Sequence, residues 1–327
     1  MNSEISNKHI EIVIPDDYPP VFDDSAALAR LNRLPGIKVK SHSDRPQNSE
    51  ELIQRISGAH TVVLARSNTR LTNRVLESTS PDLKHIALLG TATDHVALEA
   101  TRRLGVTVTN TPNSSTVAVA EHALALLFSL SRKIPQLDQR VRIGEWPGGQ
   151  LTQLAGKTLG IVGTGNIGTN MAKLGKAIGM KVIAWTFNPS KTLVAELGIQ
   201  YVEFDELLEQ SDVISLHVNL SEKTKNLIST KEISKMKNGS LLINGGRGGL
   251  INTKALIEAL NSKKLGGAGL DVFDQEPIDK DHPLLRCENV VFTPHMADQT
   301  PEGIELLNEG AVDNVIAYLQ GKPINVC

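Results

Sequence analysis

The sequence predicts an α/β protein of two domains, each a doubly wound parallel sheet with helices on both faces, and three observations carry that expectation. At 327 residues the chain exceeds what one hydrophobic core usually organises. Short apolar runs alternate with helix-period stretches along nearly its whole length. Near the middle, the apolar run Thr158–Val162 breaks into Gly163-x-Gly165-x-x-Gly168, and an Ala/Leu/Lys-rich stretch follows, which reads as strand, tight turn, helix.

Residues 1 to 8 are polar and read as a loose tail. Strands are expected at His9–Pro15, Ile37–Lys40, Thr61–Arg66 and His85–Gly90, with helices at Ser25–Leu34, Ser49–Ser57 and Thr72–Ser80 between them. A helix Asp94–Leu104 and a short strand Val106–Thr109 complete the first set, and the breaker residues Asn110-Thr111-Pro112-Asn113 close it. The long helix from Ser115 carries Val117, Val119, Ala120, Ala123, Leu124, Leu127 and Phe128, apolar nearly all round, so burial on more than one side is expected, between domains or against a partner subunit.

A second set of strands is expected at Thr158–Gly163, Lys181–Trp185, Ile199–Val202, Val213–Val218, Ser240–Asn244, Gly267–Val272 and Asn289–Thr293, with helices between most of them. The last helix, near Pro301–Leu319, has no following strand and is expected to return to the first domain. The expected domains are residues 1–109 plus 296–327, for substrate, and 110–295, for a dinucleotide.

Lys and Arg number 34 against 36 Asp and Glu, a net charge of −2 with no long run of one sign, which argues against nucleic acid or a membrane surface as a partner. Cys287 and Cys327 are the only cysteines, without a C-x-x-C or a signal-like start, so a reducing, cytoplasmic setting is expected and no structural zinc site. The apolar stretch Val117–Leu130 is interrupted by Glu121-His122 and is too short to span a bilayer.

In the glycine motif, Gly163 permits the turn, Gly165 lets the backbone approach a pyrophosphate, and Gly168 lets helix and strand pack closely, with the anion on the helix N-terminus. Three polar side chains stand just beyond three strands of the same domain: Arg247, Glu276 and His295. Ligands of an open parallel sheet lie outside the carboxyl ends of its strands, so these three can share a crevice. Arg offers a planar fork for a carboxylate, His exchanges protons near neutral pH, and Glu can hold the imidazole in one tautomer and raise its pKa. Singly, each also admits a plain structural reading: a surface ion pair, a turn acid, a hydrogen-bonded core histidine.

These residues resemble the D-isomer-specific 2-hydroxyacid dehydrogenases over almost the whole chain, from about residue 10 to 325. The matching segments are Asn110-Thr111-Pro112, Val119-Ala120-Glu121, Gly163 to Gly168, Leu216-His217-Val218, Asn244 to Gly249, Leu270 to Phe273, Gln275-Glu276-Pro277 and Thr293-Pro294-His295. The resemblance implies two Rossmann/flavodoxin-like domains with the active site in a cleft between them, and catalytic Arg247, Glu276 and His295. It also implies that the N–H groups of Thr91 and Ala92 hold the substrate carboxylate together with Arg247. Gly163, Gly165, Asn166, Ile167, Gly168, Thr186, Thr116, Gly245, Gly246, Arg247, Asp271 and His295 would line the NAD or NADP cofactor, Asp271 at the nicotinamide carboxamide. A homodimer formed through the helix after Ser115 follows from the same resemblance.

The chain departs from the family at three places. Ala92 stands where Gly is common, Met296-Ala297-Asp298 replace small residues and put a carboxylate near an anionic substrate, and Asn219 replaces Pro. Formate dehydrogenase, a relative, places Gln where this chain has Glu276, and Ser115 stands at its formate-binding Asn.

The expected function is hydride transfer between NAD(P)(H) and a 2-oxo acid/(R)-2-hydroxy acid pair of the glyoxylate, hydroxypyruvate or phosphoglycerate type, His295 serving as general acid/base. The alternative is a dinucleotide-sensing interaction protein like the C-terminal-binding corepressors; those carry extra segments, whereas this chain ends six residues after Gly321. A dehydrogenase of the L-lactate or malate type would carry its glycine motif near the N-terminus. The acid that binds the ribose of NAD is expected about 20 residues past the glycines, where this chain has Thr186 and no carboxylate from Ala184 to Lys191. That absence tilts the expectation toward NADP(H), with use of both.

Overall fold

The computed structural model describes residues 9–79 and 81–327. The tail expected over residues 1 to 8, and the end of the expected Thr72–Ser80 helix at Ser80, lie outside the described residues. The chain forms two compact units, one running to Ser115 and resuming over Thr300–Cys327, the other Thr116–Gln299. Both divisions fall a few residues beyond the expected 109/110 and 295/296. Asn110 donates to Asn325 O and accepts from Asn314 Nδ2, which keeps the 110–115 loop with the first unit. Met296 and Ala297 donate to Asp271, which keeps that turn with the second.

The first unit is a five-stranded parallel sheet of β1 (Ile10–Ile14), β2 (Ile37–Ser41), β3 (Thr61–Leu64), β4 (His85–Leu88) and β5 (Thr107–Thr109) in the order β2-β1-β3-β4-β5. That is the flavodoxin-like order. Alternate residues serve opposite faces: Val13, Val62, Leu64 and Ile86 pack in one apolar cluster, Ile12, Ile14, Val63 and Ala87 in the other. The Pro301–Leu319 helix belongs to this unit and buries Ala311, Val312 and Val315 in the second cluster. The expected Asp94–Leu104 helix begins only at Leu98. Before it, Leu71 and Val96 form a β-bridge, and that pairing takes the backbone of 95–97 out of helical conformation.

The second unit holds β6 (Thr158–Val162), β7 (Lys181–Trp185), β8 (Gln200–Tyr201), β9 (Val213–Leu216), β10 (Ser240–Asn244), β11 (Leu265–Leu270) and β12 (Val290–Phe292), all parallel, in the order β12-β11-β10-β9-β6-β7-β8. Counted from β6, the sheet reads 3-2-1-4-5-6 with one strand more, the Rossmann order. Strand order reverses between β6 and β9, and the glycine turn sits at the end of β6, at that switch point.

The helix after Ser115 spans Thr116–Ser131 and buries Val119, Ala120, Ala123, Leu126, Leu127 and Leu130 at helical spacing. Ala120, Ala123, Leu126, Leu127 and Leu130 share an apolar cluster with Leu159 and Ile161 of β6, Leu124 and Phe128 pack against it, and Val117 is exposed, so most of the helix's apolar surface is used within this unit. A helix the sequence did not single out, Ile134–Arg142, buries none of its residues. Among the described residues no helix is long and apolar enough to cross a membrane.

Candidate active site

The glycine turn is built by steric necessity at two of its three positions. Gly163 has φ +96°, and a Cβ there would lie 2.7 Å from His217 O; one at Gly168 would lie 1.9 Å from Gly163 O, so helix Asn166–Ala177 rests directly on the turn. At Gly165, the residue before that helix, a Cβ would meet no protein atom within 4 Å. The room there lies at a helix N-terminus, whose N–H groups point beyond the helix, as a pyrophosphate requires. Asn166 and Ile167 form the first turn. The residues present therefore fit a dinucleotide.

Thr186 follows β7, half-buried beside Trp185, whose ring packs on Phe187 and Phe204 at 4.8 Å centroid separation. Tyr201 links the glycine turn to this loop: its hydroxyl is 2.8 Å from Thr164 Oγ1 and accepts from Ser190 N. Thr116 is the first residue of the long helix. Thr91 and Ala92 lie in the first unit, beyond β4, Thr91 exposed and Ala92 half-buried. Their loop is stapled by Gly90 N to Thr111 Oγ1 at 2.6 Å and by Asn110 Nδ2 to Thr91 O at 2.8 Å.

Arg247 is presented by the turn after β10. Asn244, buried at the strand end, accepts from Gly246 N and donates to Arg247 O, so its side chain clamps Gly245 to Arg247 from inside. In the sequence Asn244 is one residue of the Asn244–Gly249 motif, and its signal is an amide at a strand end followed by two glycines. A Cβ on Gly248 would fall 2.1 Å from the Phe273 carbonyl carbon, so only glycine lets the Arg247 turn pass against the segment that carries Glu276.

Glu276 and His295 meet directly. Glu276 Oε2 is 2.6 Å from His295 Nδ1, and Oε1 accepts from Phe273 N at 3.0 Å. Burial alone would raise the carboxyl pKa, but the hydrogen bond and charge of His295, with Phe273 N and the Arg247 charge, hold it below the usual range. Burial pulls His295 down, and the hydrogen bond and charge of Glu276 outweigh it, so the imidazole titrates above 6.5. An ionised carboxylate only accepts, so Nδ1 carries the proton and Nε2 is the ring atom available for proton exchange.

Asp271 faces inward. Its side chain is fully buried, Oδ1 accepting from Thr293 Oγ1 at 2.6 Å and Met296 N at 2.9 Å, Oδ2 from Ala297 N at 3.0 Å. Burial raises its pKa, but hydrogen bonds from His122, Thr293 and Met296 carry it below the ordinary value. His217, singled out only as part of a motif, bonds Ser215 Oγ at 2.8 Å, and burial pushes its pKa down to about 4. Asp298 accepts from Gln299 Nε2 at 2.6 Å.

A histidine held by a carboxylate in a unit with the Rossmann strand order is an arrangement suited to reactions in which hydride and proton move together, the chemistry of the nicotinamide-dependent dehydrogenases and reductases. Residues 124–297 match the family model described as D-isomer specific 2-hydroxyacid dehydrogenase, NAD binding domain, and the chain belongs to that family. It is 36% identical over 309 residues to a D-3-phosphoglycerate dehydrogenase of Archaeoglobus fulgidus, covering 93% of this chain and 57% of that longer protein. It is 39% identical over 266 residues to a glyoxylate reductase of Aeropyrum pernix, covering 78% of this chain and 79% of the other. An acyclic imino acid reductase solved with NADPH and D-Arg superposes with a TM-score of 0.86 at 33% identity, over 97% of this chain and 99% of that one. The matched family model is that of an NAD binding domain.

Proposed function

We propose that the chain interconverts a 2-oxo acid and its (R)-2-hydroxy acid, of the glyoxylate, hydroxypyruvate or phosphoglycerate type, with Arg247, Glu276 and His295 as its catalytic residues. The observation that carries this reading is the 2.6 Å contact of Glu276 with His295 Nδ1, which leaves Nε2 to serve the substrate oxygen. The Gly163–Gly168 turn with Thr186, Thr116, Gly245 and Gly246 would hold NADH or NADPH, which when bound would supply the hydride for the carbonyl carbon. His295 Nε2 gives its proton to the carbonyl oxygen, which becomes the hydroxyl, and Glu276 stabilises the imidazolium beforehand. Arg247 binds the substrate carboxylate and polarises the carbonyl. In the oxidative direction neutral His295 takes the hydroxyl proton back. The relatives named above are dehydrogenases and reductases, so a sensing protein is not favoured.

Preference for NADP(H) with use of NAD(H) is the finer reading of the cofactor. It is supported by the lack of any carboxylate from Ala184 to Lys191, where Thr186, Asn188 and Ser190 offer donors and Lys191 a charge for a 2′-phosphate. A homodimer is supported by the Ile134–Arg142 helix and the segment beyond it, where Ile134, Val141, Ile143 and Trp146 are exposed, Trp146 at 92%. The free cysteines Cys287 and Cys327 fit a reducing, cytoplasmic setting.

The test is a panel of glyoxylate, hydroxypyruvate, phosphohydroxypyruvate and bulkier 2-oxo acids with each reduced cofactor. The expected result is turnover of at least one, yielding the (R) product wherever the new hydroxyl-bearing carbon is a stereocentre. No turnover on any of them refutes the proposal.

A further inference from the structure

His295 occupies a backbone conformation that L-residues avoid. Its φ is +54°, in the left-handed region, where a non-glycine residue stays only if its surroundings over-determine it. The surroundings that do so converge on Asp271. Three successive N–H groups grip that residue: His295 donates to its backbone oxygen at 2.8 Å, Met296 to Oδ1 and Ala297 to Oδ2. Thr293 closes the turn, its N–H on Leu270 O at 3.0 Å and its hydroxyl on Asp271 Oδ1.

The direction of the next bond follows from chemistry. A carboxylate accepts only, so the Thr293 hydroxyl proton is committed to Asp271, and the Thr293 oxygen must accept from its other neighbour. That neighbour is His122 Nε2, 2.8 Å from Thr293 Oγ1 and 3.5 Å from Asp271 Oδ1. His122 therefore carries its proton on Nε2, and a one-way chain of donors runs from His122 to Thr293 to Asp271. His122 comes from the Thr116–Ser131 helix, 171 residues before Thr293 in sequence.

We propose that His122 is a positioning residue for His295: by orienting the Thr293 hydroxyl it holds the Asp271 carboxylate where the Met296 and Ala297 N–H groups need it, and so fixes the backbone that aims the His295 imidazole at Glu276. The kinetic consequence rests on the function proposed above; the structural one does not. A histidine that merely satisfied the core would cost stability when removed and leave His295 unchanged. The charged groups that face His295 are Glu276 on the segment after β11, Arg247 on the turn after β10, and Asp271 at the end of β11. Of these, the Glu276 hydrogen bond is the interaction most sensitive to the aim of the ring.

Three variants test this. His122→Phe keeps a ring and removes the donor, His122→Gln keeps an N–H at similar reach, and Thr293→Val cuts the chain one step later. The first readout is the NMR titration of the His295 imidazole in the full-length protein, measured without substrate. Its midpoint is expected to fall by about half a unit or more in His122→Phe and Thr293→Val, and to recover in His122→Gln. The second is kinetic: kcat for 2-oxo acid reduction drops about tenfold in the same two variants. The double variant His122→Phe/Thr293→Val is expected to be no worse than either single one, because both cut one chain.

An unshifted His295 midpoint in folded His122→Phe, or a His122→Gln variant no better than Phe, overturns the proposal. Thr293→Val provides the same reading should the Phe variant fail to fold. Wild-type protein that reduces no 2-oxo acid would defeat the proposed function alone, since the titration is read without turnover.

Discussion

Replacing Glu276 by Gln removes one charge and keeps a hydrogen-bond acceptor of the same size, so it isolates what the carboxylate does for His295. An opposite charge at hydrogen-bonding distance shifts a pKa by about 1–3 units. The side chains of His295 and Glu276 are 29% and 26% exposed, and solvent screening at that exposure favours the lower end, about one unit or about 1.4 kcal/mol. What remains in the variant acts mostly the other way: burial and the Arg247 charge both lower the imidazole pKa, and only the weaker influence of Asp271 raises it. The midpoint is therefore expected to reach 6.5 or fall below it.

Reduction uses protonated His295, so the alkaline limb of the kcat profile should move toward acid by about one unit, the two enzymes converging well below both midpoints. Oxidation uses the neutral ring, so its acid limb should move the same way and the variant should keep relatively more of that activity at neutral pH. The assay is initial-rate kinetics in both directions from pH 5 to 10, taken at about half-unit steps. A limb that stays in place, or moves toward alkali, refutes the account of the pair.

Stability of the same variant should follow the linkage. The raised pKa of His295 contributes stability that is full below 6.5 and is lost as pH rises through the folded value, while the lowered pKa of Glu276 contributes above 4.5 and is lost as pH falls through its own. The Tm deficit of Glu276→Gln is thus expected to be largest between 4.5 and 6.5 and to shrink on either side. Arg247→Lys keeps the charge and loses the planar fork, so kcat/KM should fall at least about tenfold, roughly 1.4 kcal/mol; kinetics like wild type would remove Arg247 from the substrate site. Gly168→Ala puts a Cβ 1.9 Å from a backbone oxygen that cannot swing away, and a loss of about 1–3 kcal/mol is expected in chemical denaturation together with weaker NADH binding by fluorescence titration. An unchanged midpoint would mean that turn and helix can part without cost. Thr186→Asp should turn cofactor preference toward NAD(H) by repelling a 2′-phosphate, read as the ratio of kcat/KM for the two cofactors; a wild-type enzyme strongly selective for NADH would end the case for the NADP(H) tilt.

The class and most of the elements are legible along the chain, because the signals involved are local. Alternating apolar runs mark strands wherever both faces of a sheet are covered, as Leu159 and Ile161 on one face and Val162 on the other confirm for β6. The turn at Gly163 and the packing at Gly168 follow from a spacing of six residues, so the motif could be read without tertiary contacts. Arg247, Glu276 and His295 were legible as candidates because strand ends are where a parallel sheet exposes chemistry. The tertiary structure decided what holds them. The β-bridge of Val96 to Leu71 shortened a helix that periodicity extended, since a partner 25 residues away competes with the helix for the same backbone groups. Asn244 folding back on the Arg247 turn, Asp271 facing inward and the left-handed His295 are likewise settled by contacts across the fold. His122 is the clearest case: beside Glu121 in the sequence it is one polar residue on an apolar helix, and it acquires a direction and partners only when β12 brings Thr293 to within 2.8 Å. Hydrogen bonds between distant side chains leave no period or spacing along the chain, and for that reason the supports of the site are visible only once it is folded.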